Sequence, residues 1–327
     1  MKLIYLFIAG FINTVLFAQV PNANYLTALA TADSLYLEKQ YKAALGIYQQ
    51  AGADYPNDVR WPHRYNTACF WALLGEKDSA FALLNTIADK DGYTAYGNTF
   101  IDKDLASLHS DVRWQSFIEK VRNNRNKKIA KPNYELINEL DDIRAKDQAL
   151  RRELQDVEDK YGWESKELKA LWDTIANLDS LNFVKVSNMI DKYGWLGPNV
   201  VGAEGNSTLF LVIQHGEIEE QEKYLPIMRE AVKNGNAQGW DLALLEDRVA
   251  IRHGKKQIYG SQITKYKEEP AFVAPLEDPD NVDKRRAAMN MPPLASYVSR
   301  WGIKWNVKQY KRKLPYYIKV QQKTLAQ

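Results

Sequence analysis

Three polar residues with chemical potential interrupt apolar stretches in the second half of the chain. His215 follows the apolar run 209–213, and Asp247 and Arg248 lie within the apolar stretch 244–249. Consecutive helix residues point about 100° apart, so Asp247 and Arg248 cannot both face solvent while their neighbours are buried. A neutral imidazole can act as acid, base or metal ligand, and a carboxylate can orient it through one ring nitrogen. Arginine can bind a carboxylate or phosphate through two parallel hydrogen bonds.

Two interpretations of this trio stay open. In the first, His215, Asp247 and Arg248 meet in a polar pocket. The pocket then either binds a ligand without chemistry or belongs to a hydrolase-like enzyme, with His215 and Asp247 as the acid–base pair and Arg248 as an anion clamp. In the second, Asp247 pairs locally and Arg248 ties the segment 257–262 to the helices, so that the network serves only the fold. Whether the protein is an enzyme is therefore not decided by the sequence.

Several other chemistries find no support. Glu219 follows His215 by four residues, a spacing compatible with two metal ligands, but Gly216 makes a continuous helix between them doubtful. No HExxH, CxxC, GxSxG or phosphate-loop pattern occurs, and Cys69 is the only cysteine. We therefore predict no metal and no cofactor.

The polar residues must be positioned by helices. The hydrophobic pattern predicts helices over 134–160, over 165–192 with a break near Asp179, and over 206–215, 219–234 and 237–253. A glycine-rich loop is expected over 194–205, and a short extended segment near 255–265 that includes Gln257 to Gln262. The phrase Asp-Lys-Tyr-Gly-Trp ends the first two helices, where Gly162 and Gly194 are expected to serve as caps.

Motifs along this region resemble a bacterial domain of unknown function, numbered 6624, over roughly Asn138 to Trp305. They are Asp147-Gln148 with Arg151, Tyr193-Gly194-Trp195 with Val201-Gly202, Gln214-His215, Leu245 with Asp247-Arg248, and Gly254 with Gln257, Tyr259-Gly260 and Gln262. Ser261 stands where threonine is more usual, which keeps the hydroxyl. The resemblance implies a domain without an established reaction. The candidate ligand-binding residues are Gln214, His215, Asp247, Arg248, Gln257, Tyr259, Gln262, Asp147 and Arg151.

The first part of the chain shows a tetratricopeptide-like repeat. Small residues at Ala32 and Ala44 recur 36 positions later as Ala68 and Ala80, close to the usual period of about 34 residues. Gly75 falls between the second pair of helices. A degenerate third unit is predicted to bury Phe100, Leu105, Leu108, Trp114, Phe117 and Ile118, with Asp111 as a helix cap. Such arrays either dock a protein or peptide partner or support a neighbouring domain, and the sequence does not choose between these roles.

The N-terminus has the pattern of a signal peptide. Lys2 precedes an apolar run over 3–17, which ends at Ala18 and is shorter than the roughly 20 residues of a transmembrane helix. No cysteine lies at the exit, and no second apolar stretch of spanning length follows. We expect an exported protein, periplasmic or secreted, that is neither a lipoprotein nor membrane-spanning.

Charge is distributed unevenly along the 327 residues. From Lys284 onward there are 11 basic and no acidic residues, whereas 1–283 carry 33 basic and 41 acidic residues. Aromatic residues alternate with these cations, a pattern that suits stacking on nucleic acid, but an exported protein seldom meets that partner. We therefore expect no nucleic-acid partner; an anionic envelope component, or the acidic body of the protein, is the alternative.

These patterns predict a mostly α-helical protein of helical-hairpin repeats followed by a separate helical domain. The expected boundaries are a signal peptide at 1–18, repeats at 20–126, the domain of unknown function at 127–270, and a basic, aromatic-rich extension at 271–327 packed on it.

Overall fold

The computed structural model describes residues 21–266 and 270–325. Two compact units divide the chain between Pro132 and Asn133. The predicted signal peptide at 1–18 lies outside the described residues.

The first unit consists of helical hairpins. Helices α1 (Ala23–Leu37) and α2 (Tyr41–Asp54) pack together, as do α3 (Trp61–Leu73) and α4 (Lys77–Asp89). A short helix α5 (Tyr96–Phe100) and helix α6 (Val112–Lys127) follow, and 3-10 helices occupy Pro56–Asp58 and Lys103–Leu108.

Small residues lie in the core of each hairpin, with Ala32 and Ala44 in one cluster and Ala68 and Ala80 in the other. Ala32, Ala44, Ala68 and Ala80 are fully buried. Gly75 has φ of 82° at the turn between α3 and α4, a left-handed conformation that favours glycine. Helical packing of this kind suggests repeats in the first unit.

The third unit differs from its prediction at one residue. Leu105, Leu108, Trp114, Phe117 and Ile118 are buried, and Asp111 caps α6 by accepting a hydrogen bond from the Arg113 N–H at 3.0 Å. Phe100 was predicted to be buried, and this prediction is wrong, since the residue is 40% exposed. Helix α5 ends at Phe100, whose ring stacks on Tyr96 and His109 at the surface instead of entering the core.

The second unit contains five long helices followed by a mixed C-terminal part. The helices are α7 (Tyr134–Tyr161), α8 (Lys166–Tyr193), α9 (Pro198–His215), α10 (Ile218–Lys233) and α11 (Gly239–Arg252). The remaining elements are β1 (Ile263–Thr264), β2 (Phe272–Val273), α12 (Val282–Ala288), α13 (Leu294–Val298) and α14 (Val307–Leu325), with 3-10 helices at Pro279–Asn281 and Ser299–Trp301. The two strands pair antiparallel. The prediction of a mostly helical protein with a short extended segment is confirmed.

Glycines set the helix ends in this unit. Gly162 and Gly194 have positive φ, and the N–H of each donates to the carbonyl four residues earlier, at 2.8 Å. The break predicted near Asp179 is wrong, because α8 runs through that residue. The loop predicted over 194–205 is also too long, since α9 already begins at Pro198 and tolerates a kink at Gly202, where φ is 73°.

The C-terminal extension is part of the second unit. The Tyr310 hydroxyl accepts from the Leu276 N–H at 2.7 Å and donates to the Ala274 carbonyl at 2.8 Å. Tyr317 stacks on Phe272 with ring centres 4.2 Å apart. Among the described helices, none has the length and apolar character needed to cross a membrane.

Candidate functional site

One face of α7 carries both the apolar core contacts and a row of charged residues. Ile137 and Leu140 are buried near the start of the helix, and Arg144 and Asp147 continue the same stripe at spacings of four and seven residues from Leu140. Arg151 lies one turn beyond Asp147. This face of α7 points into the unit. Asp147 is therefore buried, with only 2% of the residue exposed.

His215 reaches Asp147 from the end of α9. Its Nδ1 lies 3.0 Å from Oδ1 of Asp147, and its side chain is 7% exposed. Asp147 and His215 are 68 positions apart in sequence, so their contact depends on the packing of α7 against α9.

Further side chains hold Asp147 and extend the group to α8. Arg151 donates from Nη1 to Oδ1 of Asp147 at 3.0 Å, and Gln148 donates to Oδ2 at 2.6 Å. The Nη2 atom of Arg151 lies 2.7 Å from both carboxylate oxygens of Asp179. We call His215, Asp147, Gln148, Arg151 and Asp179 the His215 cluster.

Burial and charge set the protonation of the cluster. Burial, together with the positive charge of Arg151, lowers the pKa of His215, and Asp147 opposes this shift. Burial raises the pKa of Asp147, but His215, Arg151 and Gln148 outweigh it and hold that pKa well below its usual range. At neutral pH the imidazole is therefore neutral, and its Nδ1–H donates to an ionised Asp147.

The second ring nitrogen of His215 has no hydrogen-bond partner among the described residues. This nitrogen, Nε2, is not fully buried, since it is absent from the fully buried polar atoms without a partner. With Nδ1 protonated, Nε2 carries the lone pair. The cluster thus presents one hydrogen-bond acceptor whose orientation is fixed by a buried carboxylate.

The model of a family of unknown function, DUF6624, matches residues 134–308. The chain belongs to the DUF6624 family. No curated protein and no solved structure matches it. The His215 cluster lies wholly within the DUF6624 region.

Three residues of the cluster have the ligand types of a metal site. Atoms of Asp147, Asp179 and His215 lie within 4.8 Å of one another. Arg151, however, already binds both carboxylates and supplies the positive charge that a cation would bring. A divalent cation could be held here only by displacing this guanidinium. Glu219 does not join the cluster through a shared helix, because α9 ends at His215 and Glu219 belongs to α10.

Asp247 is not the hydrogen-bond partner of His215. Its carboxylate accepts hydrogen bonds from the backbone N–H groups of Ile258 at 2.7 Å, Tyr259 at 3.0 Å and Ser261 at 2.9 Å. Burial raises the pKa of Asp247 to about 6, although these N–H groups act to lower it. Asp247 therefore shapes the loop that follows α11.

Arg248 contacts the end of α9. Its Nη1 donates to the backbone carbonyl of Gln214 at 2.8 Å. This bond satisfies a carbonyl in the last turn of α9, next to His215, which is a capping role. Arg248 therefore stabilises the end of α9, the helix on which His215 lies.

The glutamines and Tyr259 belong to the same loop network as Asp247. Gln257 donates to the carbonyls of Gln262 at 3.0 Å and Ala274 at 2.9 Å, and the Gln262 N–H donates back to Gln257 at 2.8 Å. The Tyr259 hydroxyl donates to Glu246 at 3.2 Å. The side-chain amide of Gln214 makes only a long contact of 3.5 Å to the Leu244 carbonyl. The predicted site residues thus divide into the His215 cluster, a loop-fixing network, and Gln214 and Arg248 at the end of α9.

Two charged residues beside the cluster were missed by sequence reasoning, in addition to Asp179. Arg144 is 2% exposed and lies within electrostatic reach of Asp147 and Asp241. Burial raises the pKa of Asp241 to about 7, against the influence of Arg144. The position of Arg144 on the α7 stripe, three residues before Asp147, was the signal available for it. Asp179 gave the same signal, because it lies on the buried stripe of α8, four residues after Ile175 and seven before Val186.

Proposed function

We propose that the DUF6624 region binds a small molecule with a hydrogen-bond donor at Nε2 of His215. The observation that carries this proposal is the asymmetry of the imidazole, whose Nδ1 is bonded to Asp147 while Nε2 has no partner among the described residues. A histidine kept only for stability would gain from satisfying both ring nitrogens.

The supporting residues fit this role. Asp147 fixes the tautomer and the ring orientation, as carboxylates commonly do behind a functional imidazole. Arg151 keeps Asp147 ionised and is itself held by Asp179. Arg248 satisfies the carbonyl just before His215, so the end of α9 is constrained from two sides.

The contacts of Asp247 and Arg248 argue against the hydrolase-like alternative, in which His215 and Asp247 are the acid–base pair and Arg248 is the anion clamp. The oxygens of Asp247 accept from loop N–H groups, and Arg248 donates to a helix carbonyl. Acid–base chemistry at His215 would have to use Asp147 instead.

We further propose that the protein is exported to the periplasm or the medium, and that its first unit docks a protein or peptide partner. The apolar run after Lys2 supports export. The paired helices of the first unit support the docking role, since stacked hairpins present a concave surface. N-terminal sequencing of protein from the native cell envelope tests export. A start near Gln19 or Val20 is expected, whereas an intact Met1 in a cytoplasmic fraction refutes it.

Chemical reactivity tests the site. Diethylpyrocarbonate modifies neutral imidazoles at an accessible nitrogen, so His215 is expected to react in the folded protein. His253 is the comparison residue. Its side chain is 39% exposed, but its Nε2 is bonded to Glu222 at 2.7 Å, whereas Nε2 of His215 has no partner among the described residues. A melting-temperature screen of metabolites and glycan fragments against the parent and His215→Gln then identifies the ligand. An inert His215, or ligands that stabilise His215→Gln and the parent alike, would refute the proposal.

A further inference from the structure

The outer face of α14 carries a row of cations. Lys308, Arg312, Lys319 and Lys323 are exposed and occupy positions i, i+4, i+11 and i+15 of this helix. These spacings place them on one side of an α-helix, along a line of about 22 Å at a rise of 1.5 Å per residue. We call these four residues the basic stripe.

The opposite face of α14 anchors the helix. Tyr310, Tyr317 and Val320 are buried in the apolar cluster of the C-terminal part. Gln321 donates to the backbone carbonyls of Ile251 at 3.3 Å and Lys255 at 2.9 Å. The basic stripe is therefore displayed on an ordered helix whose inner face is fixed.

Internal ion pairs do not account for the stripe. In the part of the chain that the structure describes, Lys311 is the one basic residue of α14 in an ion pair, with Asp280 at 2.6 Å. No acidic residue occurs after Asp283, so none is available within α14 itself. Like charges four residues apart on a helix repel each other, and surface helices usually alternate the two signs. The stripe is thus electrostatically unfavourable for the folded protein alone.

The aromatic rings that alternate with these cations in the sequence are mostly turned inward. Tyr310 and Tyr317 are 5% and 9% exposed, and Trp305 packs beside them. Tyr316 differs, with 41% exposure on the side of the stripe. Binding of single-stranded nucleic acid depends on several exposed rings for base stacking, and α14 offers one.

We propose that the basic stripe docks the protein on a membrane surface rich in anionic lipid headgroups. Such a surface is a plane of mobile negative charges, and a row of cations along one side of a helix contacts it without needing a groove. Tyr316 beside the stripe fits the headgroup level, where the apolar ring and polar hydroxyl of tyrosine are both accommodated. The inference is independent of His215, which belongs to other helices of the unit.

The strength of the effect follows from the number of cations. Each lysine or arginine near an anionic membrane strengthens binding by roughly fivefold at moderate ionic strength. Removing two charges of the stripe is therefore expected to weaken binding by about 25-fold. High salt is expected to weaken binding of the parent as well, because the Debye length shortens to about 3 Å at 1 M.

Vesicle flotation with the full chain tests the proposal. The vesicles contain phosphatidylcholine alone or phosphatidylcholine with phosphatidylglycerol, and the difference between the two isolates the electrostatic contribution. The variant Arg312→Gln with Lys319→Gln removes the centre of the stripe. Its control, Lys166→Gln with Lys169→Gln, removes the same charge from exposed positions of α8. All four positions are exposed, so circular dichroism and melting temperature should match the parent.

The expected result is preferential binding of the parent to anionic vesicles, an approximately 25-fold loss in the stripe variant and no loss in the control. Equal binding by the stripe variant and the parent overturns the proposal, as does parent binding that ignores phosphatidylglycerol. If the stripe variant loses affinity for heparin or single-stranded DNA while the parent does not prefer anionic vesicles, the partner is a soluble polyanion and the membrane proposal is wrong.

Discussion

Replacement of Asp147 by asparagine probes the His215 cluster most directly. The carboxylate accepts from His215 at 3.0 Å, Arg151 at 3.0 Å and Gln148 at 2.6 Å. Asparagine has one acceptor oxygen in place of two and presents an N–H₂ group to one of these donors. Breaking a buried charged pair costs about 3–5 kcal/mol when the remaining charge is uncompensated.

Arg151 would not be left uncompensated, since its Nη2 keeps two contacts of 2.7 Å with Asp179. The loss in the free energy of unfolding should therefore correspond to two charge-assisted hydrogen bonds. At about 1.5 kcal/mol each, this gives about 3 kcal/mol for Asp147→Asn. Hydrogen exchange of α7 and α9 peptides along a urea series measures this loss within the second unit alone.

Asp142→Asn is the matched control on the same helix. Asp142 forms an exposed i,i+4 pair with Lys146 at 2.7 Å, and such pairs contribute about 0.3–0.5 kcal/mol. If Asp147→Asn destabilises the unit no more than Asp142→Asn does, the buried carboxylate is not supporting its neighbours and the account of the cluster fails.

Three further predictions concern packing, pH and the loop network. Ala80→Trp should overpack the second hairpin and cost about 1–3 kcal/mol or more, and an unchanged melting temperature would contradict the tight helix contact at this fully buried residue. Because the pKa of His215 is lowered on folding, its contribution is present above about pH 6.5 and is lost as pH falls below that value. The melting temperature of His215→Gln should therefore change less with pH across this window than the melting temperatures of the parent and of His253→Gln. Asp247→Ala should leave three loop N–H groups without their acceptor and cost at least about 1–3 kcal/mol, and faster hydrogen exchange at Ile258, Tyr259 and Ser261 is the measurement that checks it.

The hydrophobic pattern was sufficient to predict the positions of α7, α8, α10 and α11 and several core residues, but it did not predict the first part of α9 or helix α14. Ala44 and Ala80 repeat at a fixed interval, and both are buried because small residues are required where helices cross closely. His215 was placed correctly at the end of an apolar helix. In each of these cases the information is local, since periodicity reports which side of an element is buried.

The partners of the polar residues could not be predicted in the same way. Asp147 and Asp247 both interrupt apolar stripes, and only the packing of α7 on α9 determines that the first of them meets His215. Asp247 is instead occupied by N–H groups 11 to 14 residues further along the chain. Asp179 joins the cluster from a third helix, at a distance in sequence that no spacing rule covers.

The contacts of α14 have a consequence for when the second unit can fold during synthesis. Gln321 satisfies carbonyls at the end of α11, and Tyr310 satisfies backbone groups next to β2. The helix that carries Asp247 therefore receives native partners made some 70 positions later. A nascent chain stalled before Val307 should lack these contacts and stay open to proteases, whereas the first unit, which makes its hairpins from neighbouring segments, should already be protected.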